Sequence, residues 1–550
     1  MLAGSLLGCK RALAPADLPD APEVLSTKVV FSPHCRRLLF SSNRNDHVGV
    51  FSIDPTSPAR AVSALDLPRD RDLFVRSLSP DCGAVALVGD DAGNGKFDVF
   101  LYDISSRKLA NLTQGGEGNE GEPEFAPAAP LLAYLSDRRL MLYDYRSQAP
   151  LSVPSPPVEF TALEWSADGR RIFLEDRATS IWEYGLAKGG FSQVWKAPTR
   201  SANPRMIHSY DHFLYFTSDH ESEFSQIYEL DLQSSRLRRV CPSPHDQYSP
   251  QRRGEDDLVF RTTIDGNVIA LRLSSGLAEP ISPSRGVVYD VSLDFPEPLL
   301  VYAGEQAISS IYSGDSRGVH DLLSHRLAVA QPPAQVVRTG EGMAHFVFAA
   351  DSHPRQWVVW LHGGPHEQVS PRFNLYFDFL VRLGYGVVAL NYPGSTGIGN
   401  AYELRGLSDS AQVARQLAGI DQELEQVAAQ YPGFRRYVLI GVSYGAGLGF
   451  LHLRRHPDRV TRFVDFSGAT PPATRVDSLG HPLGTPILLI QGDNDPEQQK
   501  PDRRALLRAR GEWGTTRQVT LEGEGHFVQR LSSIRTILAE LRDFLSAPAP

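Results

Sequence analysis

The sequence predicts a two-domain protein in which an all-β half built from repeats precedes an α/β half. Short apolar runs separated by turns recur up to about residue 325, and longer apolar runs alternate with helical patterns after residue 331. The length agrees, because 550 residues exceed the roughly 100–200 of one ordinary domain. We expect an N-terminal segment over residues 1–24, the all-β domain over 25–330 and the α/β domain over 331–550.

The composition excludes several functional classes. The chain has 55 Lys and Arg residues against 64 Asp and Glu residues, a formal net charge of −9, and no long basic run, which argues against a nucleic-acid partner. No apolar run approaches the roughly 18 residues of a membrane span. The four cysteines are too few for a disulfide scaffold, and their spacing does not suggest zinc. We expect neither a metal nor a cofactor.

The N-terminal segment has two interpretations. Leu6-Leu7-Gly8-Cys9 resembles the lipobox of a bacterial lipoprotein signal. However, no basic residue precedes it, and the apolar run is short for a signal sequence. We expect a disordered N-terminus and a cytoplasmic protein. The alternative is a periplasmic or membrane-anchored lipoprotein attached through Cys9.

About seven stretches of the first half resemble one another. Each combines a turn, a strand, a second turn and a second strand, at a spacing of roughly 40 residues. In one of them, Ser79-Pro80-Asp81 precedes AVALVGD (84–90) and FDVFLYDI (97–104). Since such a unit is not stable alone, the repeats predict a β-propeller with one four-stranded blade per unit. An array of β-sandwiches is the alternative, which the regular spacing disfavours.

Two polar segments of this half have a structural and a functional interpretation. Residues 90–95 fail as a calcium loop because Ala92 occupies a position that needs an oxygen ligand, so Asn94-Gly95 predicts a hairpin turn. The glutamate-rich run 117–124 predicts a solvated loop between blades. The alternative for that run is a carboxylate anchor for the free amino group of a peptide.

After Gln331-Pro332-Pro333, strand-like runs alternate with helical patterns. The strand-like runs are 357–364, 385–392, 437–443, 462–468, 486–493 and 517–523, and the main helical patterns are 373–384, 411–430 and 528–545. Near-continuous apolar strands separated by helices predict a mostly parallel, doubly wound sheet that is covered on both faces.

One serine in the α/β half has the sequence context of a nucleophile. Gly441-Val442-Ser443-Tyr444-Gly445 matches G-x-S-x-G, in which the serine occupies a sharp turn between a strand and a helix. Ser443 follows the apolar run YVLIG and precedes a small-residue helix start. A second match, centred on Ser316, lies in a repeat turn without a buried strand before it, and we interpret it as coincidence. We therefore predict Ser443 as the nucleophile.

A nucleophilic serine needs a histidine base and an acid that orients the histidine. In α/β-hydrolases the chain order is serine, acid, histidine. His526 follows the last predicted strand, and we predict it as the base; His456 lies on the helix after the serine, and His481 lies in a loop. Asp493 and Asp495 both follow the strand before that, and the residues alone leave the choice between them open.

A glycine-rich segment upstream of the serine predicts an oxyanion hole. The segment HGGP (362–365) follows a strand, and we expect the backbone N–H groups of Gly363, Gly364 and Tyr444 to stabilise an oxyanion. A plain glycine-rich turn is the alternative. The histidine that opens the segment is four residues from His366, but the proline and glycines between them exclude a helical metal-binding face.

Several motifs together resemble the catalytic domain of the prolyl oligopeptidase family. They are HGGPH, NYPGSTGIG (391–399), GVSYGAG, LLIQGDND and GEGHF. The resemblance covers nearly the whole chain from about residue 25, since that family has a propeller before an α/β-hydrolase. It implies a serine peptidase for short peptides, with Ser443, Asp495 and His526 as the triad. The acid falls on Asp495 because the family's acid ends a G-x-x-D pattern, here residues 492–495.

The chain also departs from the family pattern. Pro393 replaces the arginine of the N-Y-R-G-S motif, and the arginine that often follows the acid is absent. Ser443 and Asp495 are 495 − 443 = 52 residues apart, which is shorter than usual and implies that helices beside the substrate pocket are cut back. The resemblance therefore leaves the specificity open.

The predicted function is hydrolysis of short peptides by a Ser-Asp-His triad, with the propeller limiting substrate size. One alternative is an esterase or other small-acyl hydrolase, which the shortened pocket region favours. A second is a non-catalytic propeller binding protein, against which the complete triad argues. Residue preference, aminopeptidase versus endopeptidase action and oligomeric state stay open.

Overall fold

The structure is a computed structural model. It describes residues 30–547 except 33, 56, 58–61, 91–95, 115–119, 177–178, 199–204, 255, 294, 296–297, 324–330, 339–343, 350–353, 406–410, 470–483 and 501–515. The N-terminal segment with Cys9, the Asn94-Gly95 turn, Glu117 and His481 therefore lie outside the described residues.

The first half is built from four-stranded antiparallel units. In the described part of the chain, five of these units are separate sheets: β1 (Val30–Ser32), β2 (Arg37–Ser42), β3 (Gly49–Ile53) and β4 (Ser63–Ala64); β5 (Asp72–Leu78), β6 (Ala84–Asp90), β7 (Phe97–Asp103) and β8 (Lys108–Asn111); β9 (Gly121–Phe125), β10 (Leu131–Ser136), β11 (Arg139–Asp144) and β12 (Ala149–Leu151); β13 (Phe160–Trp165), β14 (Arg171–Asp176), β15 (Ser180–Gly185) and β16 (Gly190–Lys196); β17 (Arg205–Tyr210), β18 (Phe213–Ser218), β19 (Gln226–Asp231) and β20 (Leu237–Arg239).

Two further units share one eight-stranded sheet. Their strands are β21 (Gln247–Gly254), β22 (Asp257–Ile264), β23 (Asn267–Ser274), β24 (Leu277–Pro280), β25 (Val287–Ser292), β26 (Leu299–Gly304), β27 (Ala307–Asp315) and β28 (Gly318–Asp321). A single parallel pair, Val268 with Val287, joins the two units.

The units close into a ring. Phe40 and Phe51 of the first unit share a buried apolar cluster with Val301 and Ile311 of the last. The other units pack against their neighbours in the same way, so each contributes side chains to two clusters. This closure is why units that are unstable alone form a stable domain. The predicted propeller of about seven blades is confirmed, and the sandwich alternative is wrong.

Two features of the propeller differ from expectation. The glutamate-rich run that predicted a solvated loop enters strand β9, in which Pro123 and Phe125 face inward, and burial raises the pKa of the preceding Glu120. A disulfide joins Cys35 of the first unit to Cys82 of the second, with 5.7 Å between their Cα atoms. The sequence did not predict this bond, because 47 residues separate the two cysteines and form no recognisable spacing.

The second half is one eight-stranded sheet in the order β29-β30-β32-β31-β33-β34-β35-β36. Its strands are β29 (Gln335–Arg338), β30 (Ala344–Phe348), β31 (Gln356–Leu361), β32 (Tyr385–Leu390), β33 (Tyr437–Val442), β34 (Val460–Phe466), β35 (Ile487–Gly492) and β36 (Thr516–Leu521). The last six strands along the chain run parallel, and the first two pair antiparallel.

Helices cover both faces of this sheet. They are α1 (Leu375–Arg382), α2 (Asn400–Arg405), α3 (Gln412–Gln430), α4 (Tyr444–Arg455), α5 (Pro496–Gln499) and α6 (Leu531–Ser546). Helices α3 and α4 pack on one face, and α1 and α6 pack on the other. All six positions of β32 are buried, as expected for a strand between two helical layers. The predicted α/β-hydrolase fold is confirmed.

The two halves contact each other on both sides of the sheet's carboxyl end. Asn43 of the propeller donates to the carbonyl of Gln529 at 2.9 Å, and the backbone N–H of Asn400 donates to the carbonyl of Glu223 at 2.8 Å. The predicted domain limits, 25–330 and 331–550, stay a prediction. Among the described helices, none combines the length and the apolar character needed to cross a membrane.

Candidate active site

The backbone at Ser443 turns sharply between β33 and α4. Ser443 has φ 49° and ψ −118°, a conformation that non-glycine residues rarely adopt. A Cβ atom on Gly441 would lie 2.4 Å from Cα of Ala446, and one on Gly445 would lie 2.2 Å from the carbonyl oxygen of His362. Only glycine fits at these two positions, so the G-x-S-x-G pattern has a steric cause here.

The structure brings the three predicted triad residues into one hydrogen-bonded chain. Ser443 Oγ lies 2.9 Å from His526 Nε2. His526 Nδ1 lies 3.1 Å and 3.0 Å from the two carboxylate oxygens of Asp495. With this geometry the serine hydroxyl donates to Nε2 while Nδ1–H donates to the carboxylate. The imidazole is thus held in the tautomer that accepts a proton from the serine.

The two candidate acids, Asp495 and Asp493, have different contacts in the structure. The Asp495 side chain is fully buried, accepts the backbone N–H of Glu497 at 2.9 Å as the N-cap of α5, and accepts Gln498 Nε2 at 3.1 Å. Asp493 is exposed, and its carboxylate accepts the backbone N–H of Gly523 at 2.8 Å. Asp493 therefore holds the loop that carries His526, and Asp495 contacts the imidazole itself.

The hydrogen bonds of Asp495 keep its carboxylate charged. Burial by itself raises the pKa of Asp495, but the contacts with His526, Gln498 and the backbone N–H of Glu497 outweigh burial, and the pKa is lowered from its ordinary value. In a Ser-His-Asp triad, an ionised carboxylate at this position stabilises the imidazolium that forms when the histidine takes a proton.

The HGGP segment lies directly against Ser443. A Cβ atom on Gly363 would lie 3.3 Å from Cβ of Ser443. Gly364 follows with φ 106°, which only glycine adopts readily. Tyr444 is the first residue of α4, so its N–H has no intrahelical acceptor. In the described part of the chain, no backbone acceptor takes up the N–H of Gly363 or Tyr444, which leaves both as donors for an oxyanion.

A second segment, residues 391–395, holds the HGGP segment in place. The Tyr392 hydroxyl donates to the carbonyl of His362 at 2.8 Å and approaches that of Gly363 at 3.3 Å. His362 Nε2 pairs with Ser395 Oγ at 2.8 Å, and its ring stacks on Tyr392 at 4.4 Å. Burial lowers the pKa of His362 to about 4, so His362 is neutral at physiological pH and acts as a structural residue.

The loop that carries His526 is fixed by a buried carboxylate. Glu524 accepts the backbone N–H groups of Gln529 and Arg530, both at 3.1 Å, and its own carbonyl accepts the N–H of Asn494 at 3.1 Å. Burial raises the pKa of Glu524 above its ordinary value. These bonds tie the histidine loop to the loop that carries Asp495.

A small cavity of about 180 Å³ lies beside Ser443. Its lining includes the apolar Trp360, Val369 and Val442 and the charged Glu367 and Arg372. Burial raises the pKa of Glu367, although the charges of Arg372 and His526 oppose that shift. A group bound in this cavity thus meets apolar surface, one carboxylate and one guanidinium.

One group of described residues outside this site has the side chains of a metal centre. The ligand atoms of Asp421, His452 and His456 lie within 4.8 Å of one another. His456 is the C-cap of α4, and Arg455 Nη1 lies 3.8 Å from the Asp421 carboxylate. Because a guanidinium already shares this carboxylate, we interpret the group as a network at the end of α4, remote from Ser443.

The sequence did not identify the residues that support the triad. Tyr392 and Ser395 act through hydrogen bonds to the HGGP segment about 30 residues upstream, whereas Gln498 and Glu524 bond to residues three and six positions away. The NYPGSTGIG motif contains Tyr392 and Ser395, and the GEGHF motif contains Glu524, but neither motif indicates what these side chains bond to. The rejected Ser316 is exposed in the hairpin between β27 and β28.

Comparisons with known proteins agree with this fold and site. The model of the family described as Serine aminopeptidase, S33 matches residues 352–483. Acylamino-acid-releasing enzyme 2 of Oryza sativa subsp. japonica is 24% identical over 245 residues, which cover 42% of this chain and 29% of that enzyme. Dipeptidyl aminopeptidase BIII of Pseudoxanthomonas mexicana is 21% identical over an alignment of 597 positions, gaps included. The alignment covers 91% of this chain and 83% of that protein.

A solved structure extends the likeness to the whole fold. The acylaminoacyl peptidase of Pyrococcus horikoshii superimposes with a TM-score of 0.70 at 13% identity, covering 95% of each chain. The chain spans less than half the length of the first curated relatives it matches. Propeller, hydrolase sheet and sequence relatives together relate this chain to the prolyl oligopeptidase family of serine peptidases, as its motifs predicted.

Proposed function

We propose that this protein is a serine peptidase that hydrolyses short peptides through an acyl-enzyme. One observation carries the proposal: the continuous hydrogen-bonded chain from Ser443 through His526 to the buried Asp495, with Ser443 on a strained turn. This arrangement supplies the three groups that acyl transfer requires in hydrogen-bonding distance of one another.

The proposed reaction uses these groups in a fixed order. Ser443 Oγ attacks the substrate carbonyl while His526 Nε2 takes its proton, and Asp495 stabilises the resulting imidazolium. The N–H groups of Gly363, Gly364 and Tyr444 bind the oxyanion. His526 then gives the proton to the leaving amine. Water, activated by the same histidine, releases the acyl group and restores Ser443.

The propeller supports the restriction to short peptides. It contacts the hydrolase half through Asn43 beside the histidine loop and through Glu223 beside α2, so the catalytic edge of the sheet faces the propeller. A folded protein cannot insert a chain segment between two such bodies without separating them. The relatives named for acylaminoacyl and dipeptidyl aminopeptidase activity also favour peptide substrates.

An esterase is the second candidate, and the small cavity beside Ser443 favours it. A volume of about 180 Å³ accommodates a small acyl group more readily than a large side chain. The short spacing between Ser443 and Asp495 agrees with a reduced pocket.

A panel of substrates separates the two candidates and tests the size limit. We expect peptide p-nitroanilides and peptides of a few residues to be cleaved by the wild-type protein, in addition to a matched p-nitrophenyl ester. Native albumin should stay intact, whereas fragments of it made by another protease should be degraded. Ester cleavage without any amide cleavage would make the protein an esterase, and digestion of native albumin would contradict the size limit.

The acid assignment predicts a ranking of two substitutions. Asp495→Asn should lower kcat by roughly 10³–10⁴, because the amide mis-sets the imidazole tautomer. Asp493→Asn should cost less than about tenfold, since among the described residues the Asp493 carboxylate bonds to the backbone N–H of Gly523 and not to His526. Steady-state kinetics on one p-nitroanilide measure both, with circular dichroism as the control for folding. The reverse ranking would assign the acid to Asp493.

The contact of Tyr392 with the HGGP segment predicts that its substitution lowers activity by more than a loss of stability explains. Tyr392→Phe removes the donor to the His362 carbonyl, so Gly363 loses its fixed position and kcat should fall by about tenfold or more. Tyr385→Phe is the matched control, because that buried hydroxyl donates to the carbonyl of Leu545, far from Ser443. Both variants should be destabilised by about 1–3 kcal/mol. An equal effect of the two on kcat would reject a positioning role for Tyr392.

The disulfide favours the alternative location, an oxidising compartment, over the cytoplasm. Disulfides persist in the periplasm and outside the cell and are rare in the cytosol. Peptide mass analysis of the native protein without reductant should therefore recover Cys35 and Cys82 in one cross-linked species. Recovery of both as free thiols from rapidly alkylated cells would favour the cytoplasm.

A further inference from the structure

A second cavity, of about 1110 Å³, lies at the opposite end of the hydrolase sheet from Ser443. Its lining includes Gln356 and Trp357 at the start of β31, and Arg436, which directly precedes β33. Ser443 follows the other end of β33. Six residues at about 3.3 Å each place roughly 20 Å between the two sites. The cavity is therefore separate from the proposed active site.

The described lining of the cavity is positively charged. Four arginines belong to it, Arg355, Arg435, Arg436 and Arg462, and none of the described lining residues is Asp or Glu. In the described part of the chain, none of the four forms an ion pair. Four guanidinium groups around one concave surface create a strong local field for anions, because no carboxylate compensates them.

Arg462 adds an unused donor at this site. Its side chain is only 5% exposed, one of its terminal nitrogens donates to the carbonyl of Ala547, and its Nε has no hydrogen-bond partner among the described residues. A buried guanidinium without a counter-charge is costly to the folded state. A bound anion would supply both the missing acceptor and the missing charge.

The remaining lining indicates a ligand larger than an inorganic ion. Four prolines and Tyr431 provide apolar surface, and two glutamines and two threonines provide polar groups; these are Pro354, Pro432, Pro457, Pro486, Gln356, Gln430, Thr461 and Thr485. The volume of about 1110 Å³ slightly exceeds the roughly 300–1,000 Å³ of most small-molecule sites. A diphosphate group alone would leave most of this space unfilled.

We propose that this cavity binds an organic diphosphate of about nucleotide size. Guanidinium groups recognise phosphate oxygens through paired N–H donors, and four of them match the roughly three negative charges of such a group at neutral pH. The organic part occupies the space along the prolines and Tyr431. This site goes beyond the proposed hydrolysis and does not depend on it.

Calorimetric titration of the full chain with three probes tests the proposal. At about 50 mM salt we expect ADP to bind with a Kd below about 100 µM, inorganic pyrophosphate to bind at least about tenfold more weakly, and adenosine not to bind at 1 mM. Raising the salt to about 200 mM should weaken ADP binding severalfold, because the contacts are ionic. Absence of ADP binding at 1 mM would overturn the proposal, and equal binding of pyrophosphate would overturn the nucleotide-sized ligand.

Charge-matched variants locate the binding site. Arg435→Gln/Arg436→Gln removes two exposed arginines and should weaken ADP binding at least tenfold while leaving peptide or ester hydrolysis unchanged. Arg462→Met should have the same effect on binding and keeps the apolar stem of the side chain. The control Arg69→Gln/Arg239→Gln removes the same charge from the exposed propeller surface and should bind ADP normally. ADP affinity that is retained in both cavity variants, or lost equally in the control, would overturn the assignment.

Discussion

The crowded turn at Ser443 is the constraint on which the rest of the site depends. Because Gly441 and Gly445 carry no side chain, α4 starts in direct contact with β33, and the HGGP segment packs against the same turn. The turn holds Ser443 at a positive φ of 49°, and its hydroxyl lies within hydrogen-bonding distance of His526. The loops that carry the proposed base and the oxyanion donors need to approach only this one position. They can do so because the carboxyl ends of parallel strands lie at one edge of the sheet.

The triad is held by hydrogen bonds between loops more than by regular structure. Asp495 caps α5, the Glu524 carbonyl ties the histidine loop to the aspartate loop, and Tyr392 fixes the carbonyls of the HGGP segment. The first bond is local, but the other two join segments about 30 residues apart, so the neighbouring strands of the sheet must form before these two bonds can. We infer that an intact sheet is a precondition for activity and that loop substitutions affect rate more than folding.

The sequence predicted the features that depend on neighbouring residues, and it missed those that depend on contacts between distant segments. Blade spacing, the parallel strands, Ser443 and His526 all rest on short patterns, and the structure brings the serine and histidine together. The residues alone left Asp493 and Asp495 open, because both follow one strand; their separate contacts with Gly523 and His526 depend on a distant loop. The Cys35–Cys82 bond and the arginine cavity gather residues from separate segments, and no local pattern marks them.

The most direct test of the central claim is labelling of the wild-type protein by a fluorophosphonate, followed by peptide mass analysis. The proposed triad predicts one modified residue, Ser443, with loss of hydrolysis in proportion to labelling. It also predicts no labelling of Ser443→Ala and at least about a hundredfold slower labelling of His526→Ala, because the base is gone. Modification of a serine other than Ser443, or substantial hydrolysis by folded Ser443→Ala, would contradict the account.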